Sequence, residues 1–197
     1  MPTKERIAKI KKVAEARQAG LIVVLEDIHD PHNAEAVVRS AEAFGIPEVW
    51  FVFNKEARFN PRRIGKKSSS SGNKWVAFRS FDTPEACIRE LKKRGYFVVA
   101  TALDAKAVSI YRAKLTGTKL ALVFGNEARG ISEEMRAYAD VFLTIPMRGM
   151  VQSLNLSVTA GIVLYEVTRV RMRAAANYLL KARDAAKLAR ELVKKNG

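Results

Sequence analysis

IPMRGMVQSLNLSV, from Ile145 to Val158, is the stretch on which the fold turns. Its first residues close an apolar run of strand length, VFLTIP, and its last residues open a helical pattern from about Leu154 that continues through Val170. Ser153, Asn155 and Ser157 stand at the joint, and residues of these types cap helices by accepting free backbone N–H groups. A strand, a polar joint and a helix form the repeating unit of α/β sheets.

Working outward, the rest of the chain repeats that unit. LALVFG (Leu120 to Gly125) is a strand followed by a helix near Ser132 to Tyr138. YFVVATAL is a strand preceded by a helix from Pro84 to Arg94, capped at Asp82 or Thr83 and stopped at Gly95, and WVAFRSF leads into that helix. LIVVLEDI (Leu21 to Ile28) is a β-branched strand, followed by the turn Asp30-Pro31 and a helical stretch from Asn33 to Phe44. PEVWFVF (Pro47 to Phe53) is the next strand, and the short helical connection sets it parallel to the first. The pattern breaks from Asn54 to Lys74, where seven Lys/Arg and a serine run face Glu56 alone. This segment reads as a mobile basic loop, either an ordinary solvated connection or a functional one, since loops of such length inside a domain are uncommon unless functional. The alternation predicts an α/β fold with a mostly parallel sheet.

The chain ends differ from the middle. Lys4 to Gln18 carries Ile7, Ile10, Val13 and Ala14 at helical spacing, and an Ala-rich, basic helix is expected to run unbroken from the last strand to Lys195. The formal net charge is +15; the first twenty residues hold a net +4 and Arg169 to Gly197 a net +7. Two basic ends with few compensating acids point to a polyanion partner. Ala-rich tails without a Trp/Phe/Leu face argue against a membrane surface. With 197 residues, 48% of them hydrophobic, and no apolar run of membrane-spanning length, a single soluble, cytoplasmic domain is expected. Cys87 is the one cysteine, so an internal disulfide is excluded, and two isolated histidines make no metal site.

Several chemistries are excluded by what is missing. GNEARGIS (Gly125 to Ser132) lacks the Lys-Ser/Thr of a phosphate loop, no GxGxxG follows a strand, and there is no GxSxG. Three polar clusters remain, each at the C-terminal end of a predicted strand, where open α/β sheets place ligands. They are HDPHN with Asn33 in a loop and Arg39 in the following helix, GNEARG with Glu127, and the opening segment with Ser153 and Asn155. Asn33, Glu127, Ser153 and Asn155, each taken alone, are also explained as helix caps or turn formers.

Together the clusters carry a resemblance. PHNAEAVVRSAEAFG, FGNEARGIS and IPMRGMVQSLNLSVTAGIVLYEVTRVR are similar, in this order, to the three motifs of the SpoU branch of SPOUT RNA 2′-O-methyltransferases, over about residues 21 to 171. The basic extensions, GMVQSLN and SGNKWV resemble most the members acting on guanosine 18 of tRNA. The resemblance implies a Rossmann-like sheet whose C-terminal part, about residues 120 to 166, is threaded into a deep trefoil knot. That knot would form both an S-adenosylmethionine pocket and a homodimer interface. Carried over by position, the catalytic set is Asn33, Arg39, Glu127, Ser153 and Asn155. The cofactor places are Thr101, Ala102, Leu103, Gly125, Ile145, Met147 and Leu154.

A guanidinium is effectively always protonated, so Arg39 is expected to grip the adjacent phosphate rather than to act as a base. Lys9, Lys11, Lys12, Arg17, Arg62, Arg63, Lys66, Lys67, Lys74, Arg169, Arg171 and Arg173 are expected to contact tRNA phosphates. The implied organisation is a basic RNA-binding extension over residues 1 to 20, a methyltransferase domain over 21 to 171 and a second basic extension over 172 to 197. Arg148 departs from the aliphatic residue usual at its place. A related enzyme acting on ribosomal RNA or another tRNA position would share every one of these catalytic residues; a non-catalytic RNA-binding factor on the same fold is the remoter alternative.

Overall fold

Leu21–Glu26 (β1) and Leu120–Phe124 (β6) are buried along their whole length, which fits their apolar runs LIVVL and LALVF: a parallel strand in mid-sheet has no solvent face. The computed structural model describes residues 2–64 and 72–196. Around these two lie Glu48–Val52 (β2), Ala77–Phe81 (β3), Phe97–Thr101 (β4), Val108–Ser109 (β5) and Val141–Thr144 (β7), in the order β3-β2-β1-β6-β4-β7-β5. Every pairing in this sheet is parallel. The helices are Lys4–Glu15 (α1), Pro31–Ala43 (α2), Pro84–Lys93 (α3), Glu133–Tyr138 (α4), Leu156–Met172 (α5) and Ala182–Asn196 (α6).

The two-residue period of the strands divides the core. Leu21, Val23 and Leu25 face one side, with Val37 and Val38 of α2 and Val163, Leu164 and Val167 of α5. Ile22 and Val24 face the other, with Cys87 and Leu91 of α3 and Met135 of α4. Burial pushes the Cys87 thiol up to about 12, so it packs as a small hydrophobe and is not a thiolate at neutral pH. No described helix is long and apolar enough to cross a membrane.

Two expected elements change. WVAFRSF contains a strand, β3, at the sheet edge, largely exposed and so without the apolar run that marks the others. The last helix is not continuous: α5 stops at Met172 and α6 begins at Ala182. Between them the chain is pulled into an antiparallel bridge, Gln18 with Leu179, where Ala19 N–H donates to Tyr178 O at 2.6 Å and Leu180 N–H to Arg17 O at 2.9 Å. These pairings and the buried ring of Tyr178 override the helical preference of the alanines. Consequently α6 folds back on α1, with Ile10 and Ala14 packed on Ala189 and Leu192. Of the basic segment from Asn54 to Lys74, residues 65 to 71 lie outside the described residues; on either side of them Asn73 Nδ2 donates to Arg62 O at 3.1 Å and Ile64 O at 2.9 Å.

Arg17 and Arg171, expected on the RNA-facing surface, are buried and hold the chain ends in place. Arg17 pairs with Glu42 at 3.1 Å and donates to the carbonyls of Glu42, Ile46 and Trp75. Arg171 has no carboxylate among the described residues. It donates to Gly117 O at 2.8 Å, Ala19 O at 3.1 Å and Gly20 O at 3.4 Å, with its guanidinium 4.9 Å from the Tyr178 ring centroid. Burial without a counter-charge brings it down to about 10, which leaves it a cation at neutral pH.

Candidate functional site

The carboxyl ends of β1, β4, β6 and β7 lie side by side, so the loops that follow them share one edge of the sheet. Asp30 caps α2 by accepting His32 N–H at 2.9 Å, and Pro31 fills the first helical position. The helix therefore starts earlier than the sequence suggests, and Asn33 lies in its first turn rather than in the loop. Asn155 caps α5, accepting Ser157 N–H at 2.8 Å and Ser157 Oγ–H at 2.6 Å.

Glu127, in the loop after β6, joins these helix starts. Its Oε1 accepts Asn33 Nδ2–H at 2.9 Å and its Oε2 accepts His29 N–H at 3.1 Å. The carboxylate is acceptor-only, which fixes the Asn33 amide group toward it. Asn33 Oδ1 then accepts from Asn155 Nδ2 at 3.1 Å, and Asn155 Oδ1 is left for Ser157. Three side chains separated by 94 and 122 residues thus form one directed hydrogen-bond chain. The start of α2 adds its partial positive charge beside Glu127.

A cavity of about 660 Å³ opens beside this chain, within the range of small-molecule sites. Thr101, Ala102, Leu103, Gly125, Ile145, Met147 and Leu154 all line it, as do Glu127, Ser153 and Asn155. A Cβ at Gly125 would lie 2.3 Å from the Gly130 carbonyl carbon, so only glycine lets the 125 to 131 loop close the cavity wall. Glu26 braces that loop from behind, accepting Ser132 N–H at 3.1 Å and Oγ–H at 2.5 Å. Burial pushes the Glu26 pKa up, opposed by the two Ser132 hydrogen bonds.

Arg39 stands apart: it is exposed on α2 and its side chain makes no hydrogen bond or ion pair among the described residues. The turn Gly72–Lys74 passes close to it, with a Cβ at Gly72 standing 3.5 Å from Arg39 Cα. Lys9, Lys11, Lys12, Arg62, Arg63, Lys74 and Arg173 are exposed, Arg169 is held by Glu166 at 2.7 and 2.8 Å, and Lys66 and Lys67 lie outside the described residues. The sequence reading passed over Asn126, which is buried. It donates to Asp27 O at 2.7 Å and accepts Ala128 and Arg129 N–H at 2.9 and 3.0 Å. An asparagine directly after a strand and four residues before a glycine was the available signal for this turn.

A parallel α/β sheet with a cavity and a polar chain at the carboxyl ends of its strands is the arrangement in which α/β proteins hold small ligands. Comparison with known proteins narrows it. Residues 20–165 match the model of the SpoU rRNA Methylase family, and the chain belongs to that family. It is 39% identical over 175 residues to the tRNA (guanosine(18)-2′-O)-methyltransferase of Thermus thermophilus, an alignment spanning 87% of this chain and 86% of that one. The crystal structure of the SpoU-type tRNA modifying enzyme of A. aeolicus superposes with a TM-score of 0.85 and 32% identity, covering 98% and 97% of the two chains. The AdoMet-bound rRNA methyltransferase of Sinorhizobium meliloti superposes at 0.70 with 26% identity, over 82% of this chain and 60% of that one.

Proposed function

We propose that this chain methylates the ribose 2′-hydroxyl of guanosine 18 in tRNA, with S-adenosylmethionine as donor. The Glu127–Asn33–Asn155 chain on the rim of the 660 Å³ cavity carries the reading. The similarity to enzymes of that activity supports the choice of tRNA. The cavity suits the cofactor: Leu103, Ile145 and Leu154 offer apolar walls, and Gly125 keeps the backbone close. When bound, the cofactor supplies an electrophilic methyl group on a sulfonium.

The protein's task is to hold the 2′-oxygen in line at about 3 Å from that carbon while its proton passes to an acceptor oxygen, that of the Glu127 carboxylate or of the substrate phosphate. Ser153 and Asn155, on the cavity rim, orient the ribose, and Glu127 and Asn33 hold Asn155 in register. Arg39, exposed and uncommitted among the described residues, grips the phosphate beside the target ribose with two parallel hydrogen bonds and stabilises charge developing on the 2′-oxygen. The exposed lysines and arginines of α1 and α6, with Arg62, Arg63 and Lys74, dock the tRNA backbone, so residues 1 to 20 and 172 to 197 flank a methyltransferase domain over 21 to 171.

A second copy covers the exposed apolar face of α5, where Val158, Ile162, Tyr165 and Met172 follow one another at helical spacing. In this reading residues 120 to 166 are threaded as a knot, and the protein works in the cytoplasm, where tRNA is its substrate. The test is methylation of an unmodified tRNA transcript with methyl-labelled cofactor and mapping of the label. No transfer, or label away from the 2′-oxygen of guanosine 18, overturns the proposal. Arg39→Lys retaining near-full turnover overturns the two-bond grip.

A further inference from the structure

Asp27 is the one described non-glycine residue with a positive φ, 50°, and it is buried. Glycine would adopt this conformation more easily, so the side chain has to be useful. Asp27 Oδ1 accepts three successive main-chain N–H groups, from Asn54 at 2.7 Å, Lys55 at 2.9 Å and Glu56 at 3.2 Å. Three converging donors make an anion nest at the end of β2, filled by a carboxylate from the end of β1. Its main chain is committed as well: its N–H donates to Val52 O at 2.9 Å and its carbonyl accepts Asn126 Nδ2–H at 2.7 Å. One residue therefore ties together the ends of β1, β2 and β6.

The nest also aims Glu56. Its carboxylate accepts His29 Nδ1 at 2.9 Å and pairs with Arg129. The hydrogen bonds from His29 and then Arg129 hold its pKa below the usual carboxylate range. His29 donates its main-chain N–H to Glu127 Oε2, and Arg129 N–H is held by Asn126 Oδ1. Glu127 thus stands between residues that Asp27 and Glu56 hold on either side, and its 2.9 Å bond to Asn33 depends on two loops keeping one separation.

We infer that Asp27 and Glu56 are positioning residues for methyl transfer, fixing Glu127 against Asn33 without touching substrate. This rests on the proposed function. The test compares Glu56→Ala, Asp27→Gly, Asp27→Asn, Glu127→Ala and the Glu56→Ala/Glu127→Ala double variant by kcat, KM for tRNA, cofactor affinity and thermal midpoint. Glu56→Ala lowers kcat roughly tenfold, the scale of losing a residue that supports a site residue. Its KM, cofactor affinity and thermal midpoint stay close to wild type. Asp27→Gly keeps the backbone conformation, loses the acceptor and lowers kcat likewise; Asp27→Asn keeps an acceptor oxygen and most of the activity. The double variant is no slower than Glu127→Ala alone, because both act through one group.

Wild-type kcat in Glu56→Ala overturns the inference, as does a double variant slower than Glu127→Ala by the full Glu56→Ala factor. Lack of methyl transfer by the wild-type protein refutes the proposed function instead. If Asp27→Gly fails to fold, the Glu56 variants still decide.

Discussion

Replacing Arg171 by methionine separates a fastener from an RNA ligand. The substitution keeps an unbranched side chain in the slot but removes the donors to Gly117 O and Ala19 O; Gly20 O keeps its bond from Leu120 N–H at 2.8 Å. Each of these part-buried carbonyls left without a donor costs up to about 1–3 kcal/mol, the scale for a fully buried one. Relief of the desolvated charge offsets part of this, because no carboxylate pairs with it among the described residues. A net loss of about 2–4 kcal/mol follows, a large share of the ~5–15 kcal/mol that holds a domain folded. At about 2–4 °C per kcal/mol for a chain of this size, the thermal midpoint falls by roughly 5–15 °C.

Calorimetry measures that fall, and tRNA binding over a salt series measures the alternative. A lost phosphate contact would lower the slope of log affinity against log salt by about 0.7–0.9. Arg171→Met with an unchanged midpoint and a reduced salt slope would refute the assignment.

Gly125→Ala forces a Cβ to within 2.3 Å of Gly130 backbone; displacement of the loop should weaken cofactor binding at least roughly tenfold by titration calorimetry, on the overpacking scale of about 1–3 kcal/mol, and wild-type affinity would contradict the cavity assignment. Lys9, Lys11 and Lys12 are exposed, so changing all three to alanine should weaken tRNA binding severalfold and reduce the salt slope, while stability stays within about 0.5 kcal/mol per site. The His29 pKa is raised, first by its hydrogen bond to Glu56 and then by the charge of that group. The pair's contribution is therefore full below the unfolded histidine value of about 6.5 and is lost as pH rises through the raised one. An NMR titration should show the His29 midpoint dropping to the ordinary range in Glu56→Gln, and an unmoved midpoint would exclude the pairing.

How much of this was legible in the sequence depends on what each feature asks of it. Strands buried on both faces need unbroken apolar runs, so β1, β2, β4 and β6 announce themselves, and β7, though only Leu143 of it is buried, carries the apolar VFL. β3 is an exposed edge and β5 only two residues long, and neither demands such a run. All seven residues expected at the cofactor line the cavity, because motif resemblance carries position even where side chains are plain. The Glu127, Asn33 and Asn155 contacts depend on long-range closure that no local pattern encodes, and Asp27 and Asn126 act through loop geometry invisible to periodicity.

The two misassigned arginines were legible in part. Ala160, Leu164, Val167 and Arg171 fall on one helical face, as do Ile10, Ala14 and Arg17 when α1 is continued one turn. Counting charge conceals this spacing, which marks the buried side.

The packing of α6 on α1 changes what the basic chain ends can do. Two independent tails would drape over any polyanion and lose conformational freedom as they did so. Joined through Ile10, Ala14, Ala189 and Leu192, they present their charges at distances set before any encounter, and the entropy of arranging them has already been spent in folding. Such a surface behaves as a gauge: it favours a polyanion whose own charges are spaced to match and penalises one of equal charge but different curvature.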